Sequence, residues 1–231
     1  MHKYNQEIKP LASMMRPNSL DEFVGQKHIV GRGKPIRVLI QSSEIVSMLF
    51  WGPPGCGKTT LAKIIARETG SEYVELSAVE AGKDDIRKVV EKGKALEQNS
   101  FFHKSDVNTN HKTILFIDEI HRFNKAQQDY LLPFVEEGVI TLIGATTENP
   151  SFEVISPLLS RCRVFVLKQH TPEDIKIIVN RALDDKERGL GKNDITIEDD
   201  ALSFLSQASN GDPRTALNAL ELAVKLSIKT V

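Results

Sequence analysis

Gly52-Pro53-Pro54-Gly55-Cys56-Gly57-Lys58-Thr59-Thr60 is the stretch on which the fold turns. It follows an apolar run, Met48-Leu49-Phe50-Trp51, and precedes a helical pattern with Leu61, Ile64 and Ile65 on one face. A glycine-rich loop ending in Lys-Thr between a strand and a helix has a physical meaning in that context. The glycines let backbone N–H groups close around an anion without Cβ clashes. The helix N-terminus that follows adds partial positive charge at the same point. Lys58 can reach the β- and γ-phosphates of a nucleotide, and the Thr59 hydroxyl can ligate Mg²⁺. The loop does not say what the nucleotide is used for.

Outward from the loop, five strands are predicted: Val46–Trp51, Tyr73–Leu76, Thr113–Asp118, Val139–Ala145 and Val164–Leu167. Four are near-continuous apolar runs, the pattern of strands covered on both faces. Tyr73-Val74-Glu75-Leu76 admits a charge and is placed at an edge. Helical patterns lie between them at Thr59–Thr69, Asp84–Gln98 and Lys125–Glu137, with a further helix at Pro35–Gln41. Pro133 predicts a kink or break in the third. Alternating strands and helices imply a parallel sheet with right-handed crossovers. After Gln169 the strands stop, and three helical patterns follow, the first opening at Thr171-Pro172-Glu173-Asp174 as a capped start. The expected organisation is an α/β domain over 1–169, with 1–34 as its N-terminal segment, and a small helical domain over 170–231. Residues 99–112 read as a surface loop, in which His103, Asp106 and His111 could meet at a metal only if something else held them together.

The bulk composition bounds the partners. The 231 residues carry 26% charged side chains and a formal net charge of −1, so there is no global basic footprint for nucleic acid. No apolar stretch approaches a membrane span. The two cysteines, Cys56 and Cys162, do not look like a staple, which fits a reducing compartment. Arg87, Lys88, Lys92 and Lys94 lie on one predicted helix interleaved with acids, and a solvated face accounts for them as readily as DNA does.

A second nucleotide signature is Ile114-Leu115-Phe116-Ile117-Asp118-Glu119. A buried strand there delivers two acids at its C-terminal end, where open α/β sheets bind ligands. Asp118 is suited to hold Mg²⁺ through its water shell, and Glu119 to polarise an attacking water. A third element, Leu142 to Pro150, ends another apolar strand in Thr146-Thr147-Glu148-Asn149, beside the acids if the two strands are neighbours. Two arginines stand out. Arg161 precedes the last strand, and Arg214 lies in the first turn of the final helix, where an ion pair with Asp212 is the plain explanation.

The order of these motifs resembles the AAA+ ATPases, P-loop NTPases with a five-stranded parallel sheet flanked by helices and a helical lid. Within them the chain resembles the family of replication-associated recombination protein A (MgsA), related to the Werner helicase-interacting protein. The resemblance rests on Met15-Arg16-Pro17, Gly52–Thr60, His121 to Asp129, Leu132-Pro133 and Gly144 to Phe152. It implies ATP and Mg²⁺ as cofactors, Thr146 as a γ-phosphate sensor, Arg214 as a second sensor from the lid, and Arg161 as an arginine finger serving a neighbouring subunit. It places Val24 and Gly25 against adenine. The implied role is a DNA-dependent ATPase of replication and repair at stalled forks, remodelling DNA ends or replication proteins. The implied partners are DNA with single-strand/double-strand junctions, single-strand-binding protein or polymerase, and copies of itself. It implies a cytoplasmic location in a bacterium or a nuclear one in a eukaryote. Relatives continue into a helical domain that forms tetramers, and that domain is expected to be absent here. A clamp-loader subunit, which shares Ser160-Arg161-Cys162, and a RuvB-type junction motor, which shares Gly-Ala-Thr-Thr, are the alternatives among motors. A nucleotide-gated binding module with little turnover is the alternative of another class.

Overall fold

The computed structural model describes residues 9–102, 112–192 and 195–229. The metal grouping suggested for His103, Asp106 and His111 lies outside them. The chain divides into two compact units, one of residues 26–168 and one formed by residues up to 25 together with 169 onward.

The first unit is built on five parallel strands: β1 (Met48–Trp51), β2 (Glu72–Ser77), β3 (Thr113–Asp118), β4 (Ile140–Thr146) and β5 (Arg163–Val166). Their order is β2-β3-β4-β1-β5, so the strand carrying Glu75 is an edge strand and β3 lies beside β4, as the sequence reading requires. The central strands have apolar middles: Leu49, Phe50, Leu115, Phe116, Leu142 and Ile143 are fully buried. Against the sheet pack α1 (Lys58–Glu68), α2 (Lys83–Phe102) and α3 (Lys125–Glu136), whose Leu61, Ile65, Ile86, Val90 and Leu131 face inward. Burial of such side chains contributes roughly 1.5–3 kcal/mol each.

Two expectations are corrected. β5 is not covered on both faces: it is the other edge, and Val164 and Val166 are 41% and 46% exposed. An apolar run carries the same letters at an edge as in the middle, so the pattern alone could not separate them. Of the kink or break expected at Pro133, the break does not occur: the helix runs from Lys125 to Glu136. The N–H that proline lacks would have served the carbonyl of Asp129, an exposed residue whose carbonyl water can satisfy. The start of α3 is a capping box, with Asn124 Oδ1 accepting from Gln127 N–H at 2.9 Å and Gln127 Oε1 from Asn124 N–H at 3.0 Å.

Buried Gln128 ties α3 to the segment after β4. Its amide nitrogen donates to the carbonyls of Phe123 and Glu153, both at 3.0 Å, and its oxygen accepts from Ile155 N–H at 2.9 Å. All three bonds join backbone groups that no regular element satisfies.

The second unit is helical: α4 (Pro172–Asp184), α5 (Asp199–Ala208) and α6 (Pro213–Lys229). Leu11 and Met15 pack among Ile175, Val179, Leu217 and Leu220 of this unit. Glu221 accepts from Leu11 N–H at 3.0 Å, and Arg188 pairs with Glu22 at 3.0 Å. The capped start foreseen at Thr171 is present, with Thr171 and Asp174 exchanging side-chain-to-backbone bonds at 3.2 and 3.1 Å.

His170 is buried in this unit, and its Nδ1 has no hydrogen-bond partner. Burial lowers its pKa, against the opposing pull of Asp174 and Asp212. The unfolded chain therefore binds a proton near pH 6.5 that the folded chain refuses. Stability from this residue is complete above that pH and is lost as pH falls below it. Urea unfolding monitored between pH 7.5 and 5 should show a falling midpoint, and His170→Asn should flatten that slope.

Candidate nucleotide site

The strand register assembles the site at one end of the sheet. Trp51 pairs with Thr146, and Gly52 N–H continues the ladder by donating to the Thr146 carbonyl at 3.1 Å. Ile117 pairs with Gly144, so Asp118 and Glu119 emerge from β3 beside the end of β4. The phosphate loop, the two acids and Thr146 thus converge from three adjacent strands, where open α/β sheets bind ligands.

The loop's conformation explains its residues. Gly57 adopts φ 99°, a left-handed conformation that starts α1. A Cβ on Gly52 would lie 2.3 Å from the Leu167 carbonyl oxygen, so no other residue fits without moving β5's exit. Between these two, Pro54 is exposed and Pro53 and Gly55 are half-buried, while Cys56 is buried. Lys58 is buried, and its Nζ donates to the carbonyls of Gly52 and Pro53 at 2.7 and 2.9 Å. Thr59 and Thr60 stand half-buried in the first turn of α1.

Gln26, which drew no attention as a sequence residue, braces the loop. Its side-chain nitrogen donates to the Lys168 carbonyl at 2.6 Å and reaches the Cys56 carbonyl at 3.4 Å, and its oxygen accepts from Lys168 N–H at 2.9 Å. It adopts φ 50° to do so.

Glu119 is another non-glycine residue with positive φ, at 54°. Such outliers cluster where a side chain must be aimed. Its Oε2 is buried and makes no hydrogen bond, although His121 Nδ1 lies 3.2 Å away, within ion-pair range. Thr146 is fully buried. Its hydroxyl accepts from Glu148 N–H at 3.0 Å, lies 3.3 Å from the Glu148 carbonyl, and meets His121 Nδ1 at 3.0 Å. His121 itself was read only as part of a motif; its position two residues after Glu119 is the signal that could have found it.

Arg161 lies elsewhere. It precedes β5 at the start of the sheet, beside a groove of about 580 Å³ lined also by Ser47, Lys112, Glu136 and Thr141. Its guanidinium donates to the Pro157 carbonyl at 2.8 Å and pairs with Glu136. Val24, Gly25 and Arg214 belong to the helical unit. Arg214 is exposed, and Asp212 accepts its backbone N–H at 2.9 Å. Among the described residues no carboxylate pairs with its guanidinium, so the ion pair with Asp212 is not what accounts for it.

The basic residues of α2 are engaged locally: Lys88 with Asp85, Lys92 with Glu72, and Lys94 over the Phe134 ring. No described helix is long and apolar enough to cross a membrane.

The family described as "ATPase family associated with various cellular activities (AAA)" matches residues 48–170. Replication-associated recombination protein A of Haemophilus influenzae is 49% identical over 224 residues, which is 97% of this chain and 48% of that protein. ATPase WRNIP1 of Dictyostelium discoideum is 44% identical over 216 residues, 94% of this chain and 23% of that protein. The solved structure of the Thermotoga maritima RuvB Holliday junction branch migration motor superposes with a TM-score of 0.68 at 31% identity, covering 88% of this chain and 63% of that one. The chain spans about half the length of the first of these relatives. On this evidence of sequence and fold, the chain belongs to the AAA+ ATPases and is closely related to replication-associated recombination protein A.

Proposed function

We propose that the chain hydrolyses Mg-ATP and couples the hydrolysis to remodelling DNA ends or replication proteins during replication and repair. The observation that carries the hydrolytic part is the convergence of the phosphate loop, Asp118, Glu119 and Thr146 at one end of the sheet. In this reading Gly52 to Thr60 wrap the phosphates and Lys58 exchanges its carbonyl partners for phosphate oxygens. Glu119 orients and polarises the attacking water, and Thr146 reads the γ-phosphate. Arg214 is the lid's contribution, and Val24 and Gly25 border the base.

A metal fits the donor set. Thr59 and Asp118 offer hard oxygens, and no group of three or more His, Cys, Asp or Glu among the described residues could hold an ion by itself. Mg²⁺ bound with a nucleotide needs only one or two protein oxygens, with phosphate and water supplying the rest. Thr59 and Asp118 are the residues that would hold the ion, Asp118 through water, and it would supply positive charge to the phosphates.

The replication role is carried over from the relatives' name, and DNA, single-strand-binding protein, polymerase and further copies of the chain are the partners we propose for it. The likeness to RuvB supports a second reading, movement of a four-way DNA junction. The test is ATP turnover with no DNA, with a single-strand/double-strand junction and with a four-way junction, beside Lys58→Ala as the variant that loses nucleotide binding. Stimulation by the first DNA supports the leading reading, and stimulation by the four-way junction alone supports the second. Turnover indifferent to both removes the DNA coupling, and no turnover at all removes the enzyme.

A further inference from the structure

His121 is buried beside the acids and has no part in the reading above. It sits on the 3-10 turn Ile120–Arg122 that follows Glu119, with its side chain 6% exposed. Nδ1 faces two oxygens, Thr146 Oγ1 at 3.0 Å and Glu119 Oε2 at 3.2 Å, and Nε2 lies 3.5 Å from Glu148 Oε1.

Donor counting together with the neighbouring Glu119 carboxylate favours a proton on Nδ1. The Thr146 hydroxyl has one hydrogen and two acceptor positions. It already accepts from Glu148 N–H, and its own hydrogen can turn to the Glu148 carbonyl. That hydrogen could also turn to an unprotonated Nδ1, but the bare nitrogen would then face the Glu119 carboxylate at 3.2 Å; a hydrogen on Nδ1 closes the arrangement and faces that carboxylate favourably. That single N–H then has two acceptors and makes a proper hydrogen bond with only one. In this structure it serves Thr146, leaving the buried Oε2 of Glu119 without a hydrogen bond. A buried acceptor left unpaired is costly, so a ready second arrangement exists in which the ring serves Glu119 instead.

We propose that His121 is a positioning residue that couples Thr146 to Glu119. When the Thr146 hydroxyl turns its hydrogen from the Glu148 carbonyl to the γ-phosphate, Oγ1 swings away from Nδ1, and the Nδ1 hydrogen transfers its bond to Glu119 Oε2 and fixes the carboxylate for its task. The inference rests on the roles proposed for Glu119 and Thr146. It adds that the two act through one ring, so that the base is aimed only while the phosphate is sensed.

The first test needs no turnover. Nitrogen NMR of the nucleotide-free chain, labelled with ¹⁵N-histidine, should show the His121 ring protonated at Nδ1, with the Nδ1 resonance moving in Thr146→Val. A ring protonated only at Nε2 overturns the proposal. The second test compares His121→Phe, which has no donor, with His121→Asn, whose amide can occupy the Nδ1 position. His121→Phe should lower kcat roughly 10–100-fold, the scale of a misaimed catalytic group, with ATP affinity unchanged within about threefold. His121→Asn should recover most of that loss, and Glu119→Gln should mask the effect of His121→Phe. Thermal melting of each variant identifies a fold defect; equal losses in Phe and Asn variants that track melting mean packing, and overturn the coupling. Native turnover in His121→Phe beside an inactive Glu119→Gln overturns the coupling alone. Native turnover in Glu119→Gln removes the underlying reading of the site and the inference with it.

Discussion

Glu119→Gln should bind ATP with native affinity and hydrolyse it about 10²–10⁴-fold more slowly, the usual loss when a positioned general base is removed. That corresponds to roughly 3–5 kcal/mol of barrier. Gln preserves the length of the side chain, the left-handed backbone of residue 119 and the ability to accept a bond from His121, so only basicity is withdrawn. The strand that delivers it is buried and shared with Asp118, whose proposed role toward the metal the substitution leaves untouched. Nucleotide binding measured by fluorescence, set beside single-turnover hydrolysis, separates the two effects. Lys58→Ala gives the opposite profile, because its ammonium is the buried cation lying against the loop. A Glu119→Gln rate within threefold of native removes Glu119 from the chemistry.

Arg161→Ala should cost more, on the order of 10³–10⁵-fold in kcat, the range of an arginine finger. The geometry within one chain argues against its serving its own loop. Arg161 precedes Arg163, which pairs with Met48 at the start of β1, whereas the phosphate loop leaves β1 at Trp51. Four strand residues span roughly 13 Å. The guanidinium is instead held at the start of the sheet by Glu136, each side chain about two-fifths exposed. An exposed pair of this kind contributes little and is readily exchanged for another anion. The decisive measurement mixes two inactive variants, Arg161→Ala and Lys58→Ala. In a head-to-tail assembly, about a quarter of randomly formed interfaces pair an intact loop with an intact arginine, so activity should return toward that fraction. A mixture that stays inactive, or native turnover by Arg161→Ala alone, excludes a finger working between copies.

What could be read before the structure follows from which interactions are local. The phosphate loop was legible because glycine spacing, the preceding apolar strand and the following helix all lie within some twenty residues. The edge position of β2 was legible because Glu75 has no place in a covered strand. The acids and Thr146 could be tied together only on the condition that β3 and β4 are neighbours, which strand order supplies and local pattern does not. His121 was hidden for a related reason, since Thr146 is 25 residues away and no periodicity links a ring to a hydroxyl across two strands. Gln26 was hidden further still, its bonds to Lys168 spanning 142 residues. The four residues Leu11–Met14 form a helical turn too short to leave a pattern, and their burial is visible only once the helices that receive Leu11 are in place.

The two cysteines give the molecule an unplanned use. Both are free and buried, Cys56 inside the phosphate loop and Cys162 ahead of β5. Burial raises both thiol pKa values, that of Cys162 to about 12, so neither offers a reactive thiolate while its surroundings stay closed. Both belong to residues 26–168, and no cysteine occurs in the helical unit. Labelling by a thiol-reactive dye therefore reports opening of the sheet unit alone, leaving the helical unit silent. With its natural sequence, the chain carries a reporter of local opening confined to residues 26–168.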